Sequence, residues 1–208
     1  MYLKKPGPVK NMTEYWETEL KPYISDMVKN YCAQTVAIAW DLYFHDSIKL
    51  VRETREADKG LRQQDLPMKG RTVTFLKKIS SFLLSPPKPL IFHVTGRMPR
   101  NWESYLKNPE NKIELFKFLA ERFLESSSGY LRVTNVGEKL LSSDPESSVL
   151  HGVNCSGKEE ADGRIVLHIK DIVQHGGRKV LVRCSDADIV FLCISFYHRL
   201  KGLGLEEL

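Results

Sequence analysis

The chain has 208 residues, of which 42% are hydrophobic, and this length and composition allow one sizeable core. The formal net charge of +5 is mildly basic, and by itself it favours an ordinary solvated surface over a polyanionic partner. The absence of any run of eighteen or more apolar residues excludes a membrane-spanning helix. The first residues lack the apolar region of a secretory signal, so we expect no such signal and no membrane partner.

Four cysteines are spread along the chain without forming a CxxC pair, and their spacing therefore argues against a zinc site. Two of them, Cys184 and Cys193, lie in an apolar, strand-like run, where a free thiol behaves as a small hydrophobe. We expect a reducing, intracellular location, in the nucleus or the cytoplasm.

The N-terminal residues combine proline, glycine and lysine. Residues 1–12 predict a flexible lead-in, followed by a single domain over residues 13–208. Thr13 is the predicted cap of a helix over residues 14–31. Pro22 lies inside that helix and predicts a break or a kink there.

The run TVAIAWDLYF, residues 35–44, is rich in β-branched and aromatic residues, which is typical of a buried strand in a parallel sheet. Asp41 lies near the carboxyl end of this strand. A helix is predicted over residues 46–59, and basic residues recur every three positions along it: Lys49, Arg52 and Arg55.

The next segment, at about 56–100, is basic and irregular, with a possible strand at 90–94. It is either an arch over a substrate or a plain surface excursion, and the sequence leaves both interpretations open. Two helical patterns follow between residues 97 and 125. The second runs over 110–125 with an apolar stripe made of Ile113, Phe116, Leu119, Ala120, Phe123 and Leu124.

The last third of the chain alternates strand and helix patterns. Residues 130–135 predict a strand, and Glu159 opens a helix that ends at Gly176 and Gly177. Residues 179–184 predict another strand, and residues 185–194 start with a turn or strand end and then become apolar and strand-like again. The order of elements predicts an α/β fold with a mainly parallel central sheet and helices on both faces.

Acidic residues gather where such a sheet places its ligand sites, beyond the carboxyl ends of its strands. Close carboxylates repel one another unless a cation compensates, and Mg²⁺ or Mn²⁺ prefers oxygen ligands. Asp186 and Asp188 share one face if the backbone there is extended. Each acid alone has an ordinary explanation as a helix-dipole or turn residue. Taken together, the acids support a metal site and the ordinary structural explanation equally well. The set comprises Asp41, Glu159, Glu160, Asp162, Asp186 and Asp188.

Three segments carry a resemblance to a known family: WDLYFHDSIK at 40–49, PRNWESYLKNPENKIELFKFLA at 99–120, and EEADGRIVLH at 159–168 followed by SDADIVFLCI at 185–194. Together they resemble a group of uncharacterised animal proteins. The acidic segments also resemble the signature of PIN-like nucleases, in particular the flap-endonuclease-related branch.

The resemblance implies a hydrolase that cleaves phosphodiester bonds in DNA or RNA with bound magnesium or manganese. The implied catalytic and metal-binding residues are Asp41, Glu160, Asp162, Asp186 and Asp188, with Glu159 as an alternate metal ligand. Contacts to nucleic-acid phosphates are expected from the basic helix after Asp41, through Lys49, Arg52 and Arg55. The other explanation of those three residues is an exposed helix face.

The sequence departs from the nuclease pattern in two places. The candidate early strand PLIFHVTG, residues 89–96, has no acid, and no later aspartate follows the strand after Asp188 in the way the family places one. We therefore expect a C-terminally incomplete PIN-like fold, as a fragment, a shortened form or a decayed copy. The alternative function is that of an inactive, truncated descendant that binds nucleic acid or protein.

Overall fold

The structure is a computed structural model that describes Leu3 and residues 5–44, 97–147, 153, 157, 160–184 and 186–208. The predicted helix over residues 46–59, the possible strand at 90–94 and almost all of the basic excursion at about 56–100 lie outside the described residues.

The described part is a mixed α/β structure. Its elements, in chain order, are helix α1 (Met12–Tyr15), a π-helical turn (Trp16–Leu20), α2 (Lys21–Tyr31), strand β1 (Thr35–Ile38), α3 (Trp102–Lys107), α4 (Pro109–Glu125), β2 (Leu131–Val136), β3 (Lys139–Ser142), α5 (Ala161–Gln174) and α6 (Ala187–Gly202). No helix in this part is long and apolar enough to cross a membrane.

The first helical segment is continuous through Pro22, where the sequence indicates a break. Proline has no N–H to donate to the preceding turn, and the wider π-helical turn immediately before it accommodates the missing hydrogen bond. The helix cap is Asn11 and not Thr13, because the Asn11 Oδ1 atom accepts a hydrogen bond of 2.8 Å from the Glu14 N–H.

The described sheet has three strands in the order β1-β2-β3. Strands β1 and β2 are parallel, with Ile38 opposite Thr134, whereas β2 and β3 form an antiparallel hairpin. The turn of that hairpin contains Gly137 with φ of +57°, a conformation that glycine adopts at little cost. The sheet is therefore mixed, and its first pair has the parallel arrangement that the sequence predicts.

A first core lies between the N-terminal helices, β1, β2, α3 and α4. Trp40 stacks on Phe116 with their ring centroids 5.1 Å apart, and Phe123 is fully buried nearby in α4. The apolar stripe predicted for α4 holds only in part, because Ile113 is exposed on the described surface. Leu3 is buried in the same core, so part of the proposed lead-in lies against the folded body.

A second, smaller core joins α5 and α6, and here the sequence-based prediction of a strand over residues 185–194 is wrong. An apolar run without alternation is compatible with a buried strand or a helix, and the cap decides between them. Asp186 Oδ1 accepts from the Asp188 N–H at 3.0 Å and starts α6. The strand predicted over residues 179–184 is not formed either: this run has no regular secondary structure apart from an isolated bridge between Lys179 and Glu207 in the described part.

Candidate carboxylate site

The backbone that leads to Asp41 is held by side chains of β2. The Asn135 amide acts as a strand partner for Trp40: its Oδ1 accepts from the Trp40 N–H at 2.8 Å, and its Nδ2 donates to the Trp40 carbonyl at 3.3 Å. Thr134 Oγ1 accepts from the Trp40 indole at 2.9 Å and donates to the Ile38 carbonyl at 2.8 Å. These buried hydrogen bonds extend the β1–β2 pairing by side chains and fix the position from which Asp41 projects.

Asp41 reaches the start of α5, which lies 120 residues later in the chain. Its Oδ1 atom accepts a hydrogen bond of 2.9 Å from the Ala161 N–H, the first backbone donor of that helix. A carboxylate is favourable there because the N-terminal N–H groups have no partner within the helix. The contact places Asp41 beside Glu160, at the N-cap position, and Asp162, in the first turn.

Asp186 and Asp188 occupy the start of α6, in a different arrangement from the expected one. Asp186 is the exposed N-cap, and Asp188 is exposed in the first helical turn. The expectation that extended backbone puts both carboxylates on one face is wrong, because positions i and i+2 do not face each other on a helix.

Asp162 shows that several of these acids lie close together. Partial burial raises the pKa of the Asp162 carboxyl above its ordinary value, and the negative charges of Asp186, Glu160 and Asp41 raise it further. Asp188 is not among the groups that raise it. Three separate parts of the chain, namely the end of β1, the start of α5 and the start of α6, therefore direct negative charge to one place.

The remaining predicted site residues are not described by the structure: Glu159, Lys49, Arg52 and Arg55. Within the described ranges, no three side chains of the histidine, cysteine, aspartate or glutamate types are placed so that they could hold a metal ion. The close approach of the described acids is thus an electrostatic cluster and not a formed chelate.

Helix α5 also carries a buried polar stripe that pattern analysis missed. Arg164, His168 and Asp171 are buried on this helix, together with the apolar Ile169 and Val173. Burial, and then the charge of Arg164, lower the pKa of His168 to about 4. The spacing of three and four residues between these polar positions was a visible signal that they share one face.

Thr134 and Asn135 were missed as well, since a strand pattern gives no reason to single them out. Their polar side chains at the buried end of an alternating strand were the only available indication. Comparison with protein-family models, with curated proteins and with solved structures finds no match to this chain.

Proposed function

We propose that this chain is a divalent-metal-dependent nuclease of the PIN-like class, acting on phosphodiester bonds in DNA or RNA. The observation that carries the proposal is the hydrogen bond of 2.9 Å between Asp41 Oδ1 and the Ala161 N–H. It joins the carboxyl end of a strand in a parallel pair to the start of a helix rich in acids, which is where α/β sheets bind ligands. In this proposal, β1 and β2 belong to a PIN-like central sheet.

The donor set suits a hard cation. The carboxylates of Asp41, Glu160, Asp162 and Asp186 are at least partly accessible, and their mutual repulsion is relieved if a positive charge lies among them. Magnesium or manganese is the expected ion, and when bound it supplies an activated water and stabilises the leaving oxygen.

Each residue has a distinct task in the proposed site. Asp41, Glu160, Asp162, Asp186 and Asp188 would hold the metal, with Glu159 as an alternate ligand. Asp41 is oriented by the Ala161 N–H, and Asp186 by the Asp188 N–H, so both carboxylates are fixed before any ligand arrives. Lys49, Arg52 and Arg55 would contact phosphates of the nucleic acid.

One pair of observations favours a second candidate, an inactive PIN-like descendant that binds nucleic acid or protein. Asp41 and Asp186 each accept a hydrogen bond from an N–H at a helix start. Helix capping alone stabilises a protein by about 1 kcal/mol and requires no metal. A chain that kept these acids only as caps would retain the fold without cleaving nucleic acid.

The test is cleavage of labelled single-stranded and duplex DNA and RNA with Mn²⁺, by the wild type and by the Asp186→Asn, Asp188→Asn double variant. Asparagine still caps a helix, so we expect the variant to keep its unfolding transition and to lose cleavage by at least about 100-fold. The matched control is Glu121→Gln on the exposed side of α4, which should cleave as the wild type does.

If the double variant cleaves as well as the wild type, the assignment of these two carboxylates is wrong. If the wild type binds nucleic acid but cleaves none of the four substrates with Mn²⁺ or Mg²⁺, the binding descendant replaces the nuclease.

A further inference from the structure

Helix α6 is apolar on two opposite sides. One side, with Ile189, Cys193 and Leu200, is buried in the second core. On the other side Phe191 and Ile194 are each 66% exposed, and Val190 and Tyr197 are exposed as well. These four positions are spaced as neighbours on one helical face.

Such a stripe is unusual for a solvent-facing helix, whose outer side is normally polar. A contiguous apolar patch of this kind marks a surface that binds something. Most of the described chain covers its large apolar residues, and more than half of the exposed ones fall between residues 181 and 203. The patch is therefore a local property of the α6 region.

The charges at the two ends of α6 indicate what the stripe binds. Its start carries Asp186 and Asp188, and its last turn carries Arg199 and Lys201. All four are exposed, and within the described ranges the ion pairs involve other residues. Acids at the start and bases at the end suit the dipole of any helix, but the dipole does not explain the apolar stripe between them.

A helix with the order acid, apolar, base is complementary to a second copy of itself in the antiparallel direction. If two copies of α6 cross with Ile194 on the two-fold axis, Ala187 of one copy lies opposite Lys201 of the other. Lys201 then lies near the second copy's Asp186 at the N-cap, and Phe191 lies at the same level as Tyr197. A parallel pair would instead place like charges together at both ends.

Lys201 lies on the correct side of the helix for this contact. It follows Ile194 by seven residues, close to two full turns, so both project in nearly the same direction. The contact is isologous, since each copy offers the same face, and it closes as a dimer.

We propose that the exposed face of α6 binds the same face of a second copy of this chain, with the two helices antiparallel. The face is one helix of about 24 Å in length, so the interface is at the small end of specific interfaces, and we expect a dissociation constant of about 10 to 100 µM. The inference concerns association and does not depend on the proposed nuclease activity.

The first experiment is sedimentation velocity between about 1 and 200 µM, a range that brackets the expected dissociation constant. The mass should rise from 23.9 kDa towards that of a dimer. Ile194→Asp should remain a monomer throughout, whereas Tyr31→Asp, which changes a similarly exposed large residue on α2, should associate as the wild type does. Wild type that stays monomeric over the whole range overturns the proposal and means that the stripe binds another occupant.

The second experiment tests the antiparallel register by charge exchange. Lys201→Glu alone and Ala187→Lys alone each place like charges opposite one another at both ends of the dimer, since Ala187 lies opposite Lys201, so each should weaken association by at least about tenfold. An equimolar mixture of the two variants restores opposite charges at both ends, and it should associate as tightly as the wild type. A mixture no tighter than either variant alone would overturn the antiparallel pairing.

The third experiment places a crosslink on the axis. In a background with Cys32→Ser and Cys155→Ser, Ile194→Cys should form a disulfide-linked dimer under mild oxidation, because equivalent residues meet at a two-fold axis. Tyr31→Cys in the same background is the control and should stay uncrosslinked at the same concentration. Equal crosslinking of the two variants would contradict a specific contact at Ile194.

Discussion

The first core encloses its apolar side chains, whereas the second leaves one side of a helix uncovered. Phe123 in α4 is fully buried in the first core, and Phe191 in α6 is two-thirds exposed. Both helices are rich in apolar residues, but α4 also has charged residues along its outer side, such as Glu121 and Lys117. The described surface of the first region is thus an ordinary solvated surface, whereas α6 carries an apolar surface of the kind that binds a partner.

The two regions meet at the carboxylates. Asp41 extends from the first region and accepts from the first N–H of α5 in the second, so the candidate site exists only where the two are together. A change that separates the regions should therefore reduce stability and metal binding at once. A change confined to one core should lower stability but leave the proposed metal binding nearly intact.

The largest expected effect comes from replacing a phenylalanine by alanine in the first region, and the same replacement in the second region is its control. Phe123→Ala removes a fully buried ring from the first core and should lower the free energy of unfolding by about 3 to 5 kcal/mol. Phe191→Ala changes an exposed ring and should alter it by no more than about 0.5 kcal/mol in the monomer. Urea unfolding at low protein concentration measures both. Equal losses would show that Phe191 is buried in solution.

The buried histidine of α5 should make the second region sensitive to acid. Because the pKa of His168 falls from 6.5 to about 4 on folding, protons bind preferentially to the unfolded chain. Stability should therefore decrease as the pH falls through 6.5 and the loss should be complete below 4, reaching about 3 kcal/mol.

Chemical unfolding measured across this pH range tests the effect of His168. His168→Gln should remove this part of the pH dependence, whatever its constant effect on stability. The control is His198→Gln, which changes an exposed histidine and should keep the wild-type profile. If the His168→Gln profile is as steep as that of the wild type, another group is responsible.

The buried amide of Asn135 should contribute more to the free energy of unfolding than its position in a strand indicates. Asn135→Ala leaves the Trp40 N–H and carbonyl without their side-chain partners, and we expect a loss of about 2 kcal/mol in the free energy of unfolding. Thr134→Ser keeps the hydroxyl that bonds the Trp40 indole and should lose less. A fall in stability that is larger for Thr134→Ser would show that methyl packing dominates there.

The smallest expected effect is a gain in stability at the carboxylate cluster. The raised pKa of Asp162 means that ionisation disfavours the folded state, so stability is lost as the pH rises from 3.8 through the raised value. Asp162→Asn should raise the free energy of unfolding at pH 7 by only a few tenths of a kcal/mol, since solvent screens a partly exposed group. The gain should disappear below pH 3.8, where the wild-type carboxyl is protonated in both states. A variant that is less stable than the wild type at pH 7 would contradict the repulsion.

The sequence allowed the first region to be predicted better than the second. The α4 helix follows from its periodicity, and β1 and β2 from their branched and alternating residues, although β1 ends at Ile38 and not at residue 44 as the sequence predicts. The sequence predicts a strand where α6 forms because the segment is apolar on both sides, a pattern that a strand buried on both faces shares. Among the described residues nothing covers the second apolar side of α6, which is why local reasoning failed there.

Part of the candidate site could likewise be predicted from the sequence and part could not. The topology of an α/β fold brings the end of one strand and the start of a helix to one rim, so the approach of Asp41 to α5 follows from the order of elements. The roles of Asn135 and Thr134 could not be predicted, because they depend on which backbone groups of Trp40 the β1–β2 ladder leaves without partners. The orientation of Asp188 depended on the helix that the sequence did not reveal.

The most direct measurement for the proposed function is an isothermal titration of the intact chain with Mn²⁺. The wild type and the control Glu121→Gln should bind with the same saturable heat, and Asp162→Asn should bind at least about tenfold more weakly. The wild type should also gain thermal stability in Mn²⁺ by mass action, and Asp162→Asn should gain much less. A wild type that shows no saturable binding, or an Asp162→Asn variant that binds as tightly as the wild type, would contradict a metal site at these carboxylates.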